Sequence, residues 1–493
     1  MPLRGLHAVF GKPIVSLLIT IHKTRLKEEY IIIAQKIYFC YRKIGYGNGG
    51  YMDFYARKEE LTLLEKIWGG VEKKARMVVI TGRRRIGKTL LSMVYAKAKP
   101  HLYLFIAKKT EVLLCQEFIK IIKEQFDVPV VGEIASFRDI FTLLLEIGKK
   151  QPFVLIIDEI QEFLHINPSL FSDMQKLWDE YLFKSKIQLI LMGSISSLMH
   201  HIFEDSHEPL FGRADRILRL KPFSISQLAK ILKNHGQDDV ETLFNYYLVS
   251  GGVPKYVEQL LTEKVFKEKD IYGFIFSENS PFLDEGKNVL IEEFGKEYGV
   301  YFSILELIAM GKTSRSEVES ILQRDIGGYL ERLENYYGII KKIKPIHAKP
   351  QSRTVKYRIR DPFLKFWFRF IFHEWTAIET SNFSYALQAL TQNLSVYKGG
   401  VLESFFRNLF VESKQFNEIG SYWEHDNTDE IDLVAVNDLQ KRIVIAEIKL
   451  NKKKISDATL RKKGEKLLRH YPGYSPEYLA LGLQDAENYL VIE

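Results

Sequence analysis

Only two cysteines, Cys40 and Cys115, stand in the 493 residues. A disulfide framework and a cysteine-ligated zinc cluster are therefore excluded, and a reducing, cytoplasmic setting is the expectation. No apolar run approaches the roughly 20 residues that a membrane-spanning helix needs. The segment PIVSLLITIH, from Pro13 to His22, is short, is flanked by Lys12 and Lys23, and precedes no small-residue cleavage site. Neither a membrane partner nor a secretory leader is expected from it. A charge of one sign is also missing from most of the chain. The formal net charge is +8, but residues 1–51 hold eight Lys/Arg against two Glu, leaving 62 basic and 60 acidic residues beyond them. Global charge then says little about partners, and local patches must carry any nucleic-acid argument.

The length exceeds what a single core holds, and 46% hydrophobic residues suffice for several. The pattern changes at Met52, where helical periodicity begins. Residues 1–51 are read as an extension upstream of a start at Met52, because Gly49-Gly50-Tyr51 is encodable by a purine-rich ribosome-binding sequence. A genuine basic helical extension is the other account.

The strongest signal is MVVITGRRRIGKTLLSMVYAKA. A β-branched run leads into Gly82, Arg83, Arg84, Arg85, Ile86, Gly87, Lys88 and Thr89, and a helical pattern follows. This is the Gly-x-x-x-x-Gly-Lys-Ser/Thr spacing in its strand–loop–helix context. The glycines let backbone amides point at phosphate oxygens at the positive end of a helix. Lys88 supplies charge to the β and γ phosphates of ATP, and Thr89 ligates Mg2+. A second strand, PFVLIIDEIQEF, places five apolar residues before Asp158 and Glu159, as a central parallel strand would. A carboxylate at its C-terminal edge meets the metal, so Asp158 is the second Mg2+ residue and Glu159 the group that polarises the attacking water. A third strand, IQLILMGSI, ends at Ser194, which either senses the γ-phosphate or closes a strand-end turn. In PLFGRADRILRLKPFS, Arg213, or less strongly Arg216, is the candidate arginine finger.

The series FYARKEELTLLEKI, GRRRIGKT, LIIDEIQEF, LILMGSI, PLFGRADRILRLKPF and YYLVSGGVPKYV resembles the archaeal branch of the STAND-type P-loop ATPases, relatives of AAA+ proteins, over residues 52–290. The resemblance implies a nucleotide-dependent switch. It implies further that Tyr55 and Arg57 pack near the adenine, and that Gly251, Gly252, Pro254 and Tyr256 mark a helical lid. Three consecutive arginines in the phosphate loop depart from the mixed residues usual there.

Residues 291–360 predict three helices and a hairpin, a winged-helix pattern, and residues 341–360 hold eight Lys/Arg and no acid, with KPQSR as the wing tip. Such a hairpin suits phosphate contacts with DNA. The candidate recognition helix, Asp325 to Tyr337, is acidic, which suits a protein partner or a homo-oligomer contact instead. The helical spacing of Phe363, Phe366, Trp367 and Phe370 predicts a buried face.

Near the C-terminus a helix is expected from Tyr397 with Glu403 near its start, then strands EIDLVAV and RIVIAEIKL. Helical Glu403, strand Asp432 and the Glu447-Ile448-Lys449 tripeptide look like the PD-(D/E)XK nuclease superfamily. That resemblance implies Mg2+ held by Glu403, Asp432 and Glu447, with Lys449 orienting or deprotonating water. Cross-strand charge pairing is the ordinary account of the same residues. The expected fold class is α/β: an extension (1–51), a parallel-sheet ATPase core (52–224), a helical lid (225–290), a winged helix (291–360), an aromatic helical linker (361–396) and a nuclease-like α/β domain (397–493).

Overall fold

Continuous apolar runs, rather than alternating ones, build the first sheet. The strands are β1 (Arg76–Thr81), β2 (His101–Phe105), β3 (Phe153–Asp158), β4 (Ile187–Gly193) and β5 (Arg216–Arg219). Every residue of β3 and β4 is buried, as strands covered by helices on both faces must be. The order is β2-β3-β4-β1-β5 and every pairing is parallel. Because the strands share one direction, the chain leaves β1, β3 and β4 at the same edge of the sheet. That edge receives the phosphate loop, Asp158 and Ser194 together. These details come from a computed structural model that describes residues 55–128, 134–294, 297–349, 352, 354–424 and 429–491. The extension 1–51, Met52 and three positions of the KPQSR tip (350, 351 and 353) lie outside the described residues.

After β5 come the helices Ile225–Asn234, Val240–Ser250, Pro254–Thr262, Glu268–Ile275 and Glu285–Phe294. The first starts at a capping box, in which Ser224 accepts from the Gln227 amide and Gln227 returns a bond to the Ser224 amide. Its N-terminus is closed a second time from far away. Glu412 accepts from the Ile225 amide (2.7 Å), the Ser226 amide (3.0 Å) and the Ser226 hydroxyl (2.7 Å). Between the second and third helices stand Gly251 (φ +59°) and Gly252 (φ +75°). A Cβ on Gly252 would lie 2.3 Å from the Phe223 carbonyl oxygen, and one on Gly251 would lie 2.7 Å from Pro362 Cδ. Close approach and left-handed backbone both require glycine here.

Three helical segments follow, Tyr298–Ala309, Arg315–Leu322 and Gly327–Glu331, the last continuing as a π turn over Arg332–Tyr336. An antiparallel hairpin of β6 (Ile340–Ile343) and β7 (Lys356–Ile359) completes the segment. The aromatic run then forms the helix Pro362–Phe366 and a π turn, Trp367–Phe372. Trp367 is fully buried, and its indole donates to the Leu283 carbonyl at 2.7 Å.

The next helix departs from expectation. It does not begin at Tyr397 but runs unbroken from Phe383 to Glu412, thirty residues, through the 396/397 boundary. Glu403 lies two-thirds of the way along it, not near its start. Two mid-helix glycines, Gly399 and Gly400, cost about 1 kcal/mol each relative to alanine. Buried Leu394, Tyr397, Val401, Leu402, Phe405 and Phe406 on one face offset that cost.

The chain ends in a second sheet of β8 (Glu418–Tyr422), β9 (Ile431–Asn437), β10 (Arg442–Ile448) and β11 (Ser475–Leu481), ordered β11-β10-β9-β8. Only β10 and β11 are parallel, joined across the helix Asp457–Leu468. Residues 56–493 form one compact unit.

Candidate functional site

Gly82 leaves β1 so close to the chain after β5 that a Cβ would meet the Leu220 carbonyl oxygen at 2.8 Å. The loop closes at Gly87 (φ +87°), which caps the helix Lys88–Ala96. Lys88 is buried, and its ammonium donates to the carbonyls of Gly82 (2.7 Å) and Arg83 (3.3 Å). Burial lowers its pKa, opposed by the charges of Glu159 and Asp158. The Thr89 hydroxyl donates to Asp158 Oδ2 at 2.7 Å, and Tyr103 donates to the same oxygen at 3.0 Å. Burial raises the Asp158 pKa against the pull of the Thr89 bond. A hydroxyl touching a buried carboxylate, beside a buried ammonium, is a donor set that fits a magnesium–phosphate pair. Thr89 and Asp158 would hold the metal, and Lys88 the phosphates.

Glu159 has left-handed backbone (φ +56°), which turns its side chain toward the end of β4. There Ser194 donates to Glu159 Oε2 through its hydroxyl (2.9 Å) and its amide (3.2 Å). Gln161 donates to the same oxygen. Ser194 thus stands as the clasp of Glu159. Arg57 is buried and donates to the carbonyls of Lys221 (2.7 Å) and Ile86 (3.3 Å), which ties the approach segment to the phosphate loop. Tyr55 lies two residues earlier and is half-buried.

The three loop arginines have separate fates. Arg84 adds its charge beside Lys88. Arg83 pairs with Asp361, and Arg85 pairs with both oxygens of Glu285 (2.7 and 3.1 Å). The buried Tyr256 hydroxyl also donates to Glu285 at 3.2 Å. Arg213 is gripped by Asp179 (3.0 and 2.7 Å) and by the carbonyls of Pro209 and Phe211. Arg216 bonds the Asp215 carbonyl.

In the second sheet, Asp432 accepts from the Ile448 amide (2.8 Å) and from Lys449 (3.2 Å), while Lys449 also reaches Glu447 at 3.2 Å. Burial alone would lower the Lys449 pKa, but Asp432 and Glu447 outweigh it and the net shift is upward. Lys449 is thus an ammonium paired with both carboxylates. Burial also raises the Asp432 pKa. The fourth expected member, Glu403, lies near enough to Asp432 for its charge to be felt and also meets Arg358 at 3.9 Å. Among the described residues no group of three or more His, Cys, Asp or Glu side chains is gathered to hold a metal ion. The expected trio of Glu403, Asp432 and Glu447 is not gathered into such a group. In this arrangement Arg358 pairs with Glu403 and Lys449 with Asp432 and Glu447.

Comparison with known proteins sharpens the first site. Residues 54–260 match the family of ATPase domains found predominantly in Archaea. The chain carries an archaeal-type P-loop ATPase domain. Residues 367–462 match a second family, archaeal and bacterial proteins of unknown function. An uncharacterised protein of Methanocaldococcus jannaschii is 27% identical over 451 residues, covering 89% of this chain and 95% of that protein. An uncharacterised ATP-binding protein of the same organism is 44% identical over 50 residues, 10% of this chain and 81% of that protein. A Walker-type ATPase of Pyrococcus abyssi superposes with a TM-score of 0.49 at 20% identity, over 64% of this chain and 96% of its own.

Several functional partners in and around the ATPase domain carried no local signal. Tyr103 on Asp158 is an alternating strand residue like any other, and Asp361 and Glu285 lie 278 and 200 residues from the arginines they hold. Lys463, which reaches Glu447 at 3.2 Å, lies 16 residues further on and carried no local signal either. Among the described residues, no helix is long and apolar enough to cross a membrane.

Proposed function

We propose that the chain is a STAND-type, Mg2+-dependent ATP switch whose nucleotide state is transmitted to a nuclease-like C-terminal module that engages DNA. The observation that carries the ATP reading is the direct contact of Thr89 with Asp158 at the mouth of the phosphate loop. Lys88 holds the phosphates there, and Thr89 and Asp158 hold the metal. Bound Mg2+ supplies neutralisation of charge on the phosphates. Glu159, clasped by Ser194 and Gln161, orients the attacking water. Arg57 fixes the loop backbone from behind.

Transmission runs through Arg83 and Arg85. A guanidinium cannot serve a phosphate and a carboxylate equally, so phosphate competes with Asp361 and Glu285 for these arginines. Asp361 opens the aromatic helix, and Glu285 opens the helix packed on Trp367. Release of either pair changes what holds the C-terminal half to the loop. Measured nucleotide binding and turnover test the scheme. Lys88→Ala removes both, and unchanged affinity and turnover would overturn it.

A second reading, that the module cuts DNA, rests on Lys449 standing 3.2 Å from Asp432 and 3.2 Å from Glu447. Loss of Mg2+-dependent cleavage in both Asp432→Asn and Lys449→Met supports it. Absence of cleavage in the wild type leaves the alternative, a regulatory scaffold whose hairpin segment and C-terminal domain bind without cutting.

A further inference from the structure

Five cations from four elements crowd one side of the second sheet. Lys341 on β6 stands directly opposite Arg358 on β7, a like-charge cross-strand pair that is destabilising by itself. Arg360 follows on the same hairpin, its Nε donating to the Ile340 carbonyl. Lys365 projects from the aromatic helix over the Tyr397 ring (5.2 Å to its centre) and would lie 3.8 Å from a Cβ on Gly400. Arg407 extends from the long helix, donating to the Ser421 hydroxyl (2.9 Å) and the Asp432 carbonyl (3.3 Å). Its Nε is buried with no hydrogen-bond partner.

Anions only partly balance this cluster. Glu403 meets Arg358 at 3.9 Å and its charge also reaches Lys365 and Arg407, while the carboxylate of Asp432 is taken by the Ile448 amide and Lys449. Among the described residues no carboxylate lies within ion-pair distance of Lys341 or Lys365. The mutual repulsion registers in both lysines. Burial first, then the neighbouring arginines, pull each down to about 8. Arg407 is pulled down to about 10, by burial and then Arg358. Yet Lys341 and Arg360 are exposed and Arg358, Lys365 and Arg407 only half-buried, so the cluster is open to solvent on the hairpin side. Like charges gathered together, beside an orphaned guanidinium N–H, are what an anion would reconcile.

We propose that the cationic cluster between the β6–β7 hairpin and the long helix is a phosphate-binding site, in which Lys341, Arg358, Lys365 and Arg407 hold one phosphodiester of a DNA strand. Arg360 tracks the next stretch of backbone at the open side. Glu403, 3.9 Å from Arg358, is then the acid that keeps that guanidinium within the cluster. The site deepens the DNA reading proposed above and does not require cleavage, so the two can fail separately.

The test uses the full-length chain carrying Lys341→Gln and Lys365→Gln together, with a fluorescein-labelled DNA duplex, anisotropy detection and EDTA present so that nothing is cut. The expected result is a loss of at least about tenfold in affinity, one charge-assisted hydrogen bond's worth. The slope of log affinity against log salt should fall by about one, as for one phosphate. ATP turnover should be unchanged. A parallel thermal melt with inorganic phosphate distinguishes the source of the anion. Stabilisation by phosphate that the double variant loses, without a change in DNA binding, keeps the phosphate site but assigns it to a free anion. Equal DNA affinity and salt slope in both proteins, with no phosphate effect lost, overturns the proposal. Each substitution removes a repelling charge, so the variant's melting temperature should not fall.

Discussion

Asp361 divides its carboxylate between two tasks, and that division allows one substitution to test the transmission scheme. Oδ1 accepts from the amides of Phe363 (2.8 Å) and Leu364 (3.4 Å), capping the helix Pro362–Phe366, while Oδ2 holds Arg83. Asparagine at 361 keeps the capping oxygen and removes the charge; alanine removes both. The pair is partly buried, with side-chain exposures of 27% for Arg83 and 12% for Asp361. Its net strength lies between that of an exposed pair, below about 1 kcal/mol, and the roughly 3–5 kcal/mol lost when a buried pair is broken. A value of about 1–2 kcal/mol is the working figure. If Arg83 leaves Asp361 to meet phosphate, Asp361→Asn removes that opposition. ATP-analogue affinity in Mg2+ should then rise about five- to thirtyfold. Titration calorimetry reads the affinity, and a melt reads the cap, which Asp361→Ala should lose at a cost of about 1 kcal/mol. In an Arg83→Gln background the gain from Asp361→Asn should vanish. Affinity within twofold of wild type in Asp361→Asn, or a gain that survives Arg83→Gln, refutes the shared-arginine reasoning.

Three further outcomes follow from the geometry. Ser194→Ala removes the 2.9 Å hydroxyl bond to Glu159 but leaves the amide bond, so kcat should drop several-fold with nucleotide affinity unchanged, read in a steady-state ATPase assay. Lys365 is depressed to about 8 from an ordinary 10.5, chiefly by burial, so the folded state disfavours its charge, and stability should climb as pH rises from about 8 to 10.5. Lys365→Met should accordingly raise the melting temperature at pH 7 and lose that advantage above pH 10.5; an equal gap at both pH values would point to packing. Gly286→Ala would place a Cβ 2.1 Å from Trp367 Cδ2, so a denaturant melt should show a loss of about 1–3 kcal/mol.

The phosphate loop was legible because its chemistry is local. Gly82, Gly87, Lys88 and Thr89 must sit at fixed spacing between a strand and a helix, and no tertiary context rearranges that. Asp158 was legible for the same reason, since a fully apolar strand ending in acid has one common use. The arginine partners were not, because a guanidinium fixes no sequence distance to its carboxylate. The start of the long helix was not legible either. It lies at Phe383 rather than Tyr397, because Ala386, Leu390 and Leu394 carry its buried face back through the linker. Glu403 also has a neighbour that spacing does not reveal. On a strand its direction would follow from alternation, whereas on a helix of thirty residues it follows from rotation against the sheet. Arg358, far off in sequence, competes for it.

The helix Phe383–Glu412 is about 45 Å long at the usual rise. Its last residue is anchored, by Glu412, on the first turn of Ile225–Asn234, and its middle carries Glu403 and Arg407. Such a member acts as a drive shaft. A tilt of about 5° at one end sweeps the other through roughly 4 Å, on the scale of one helical turn. A small shift of the first turn of Ile225–Asn234 would thus arrive at the helix's opposite end, Phe383, already magnified, with no hinge needed in between.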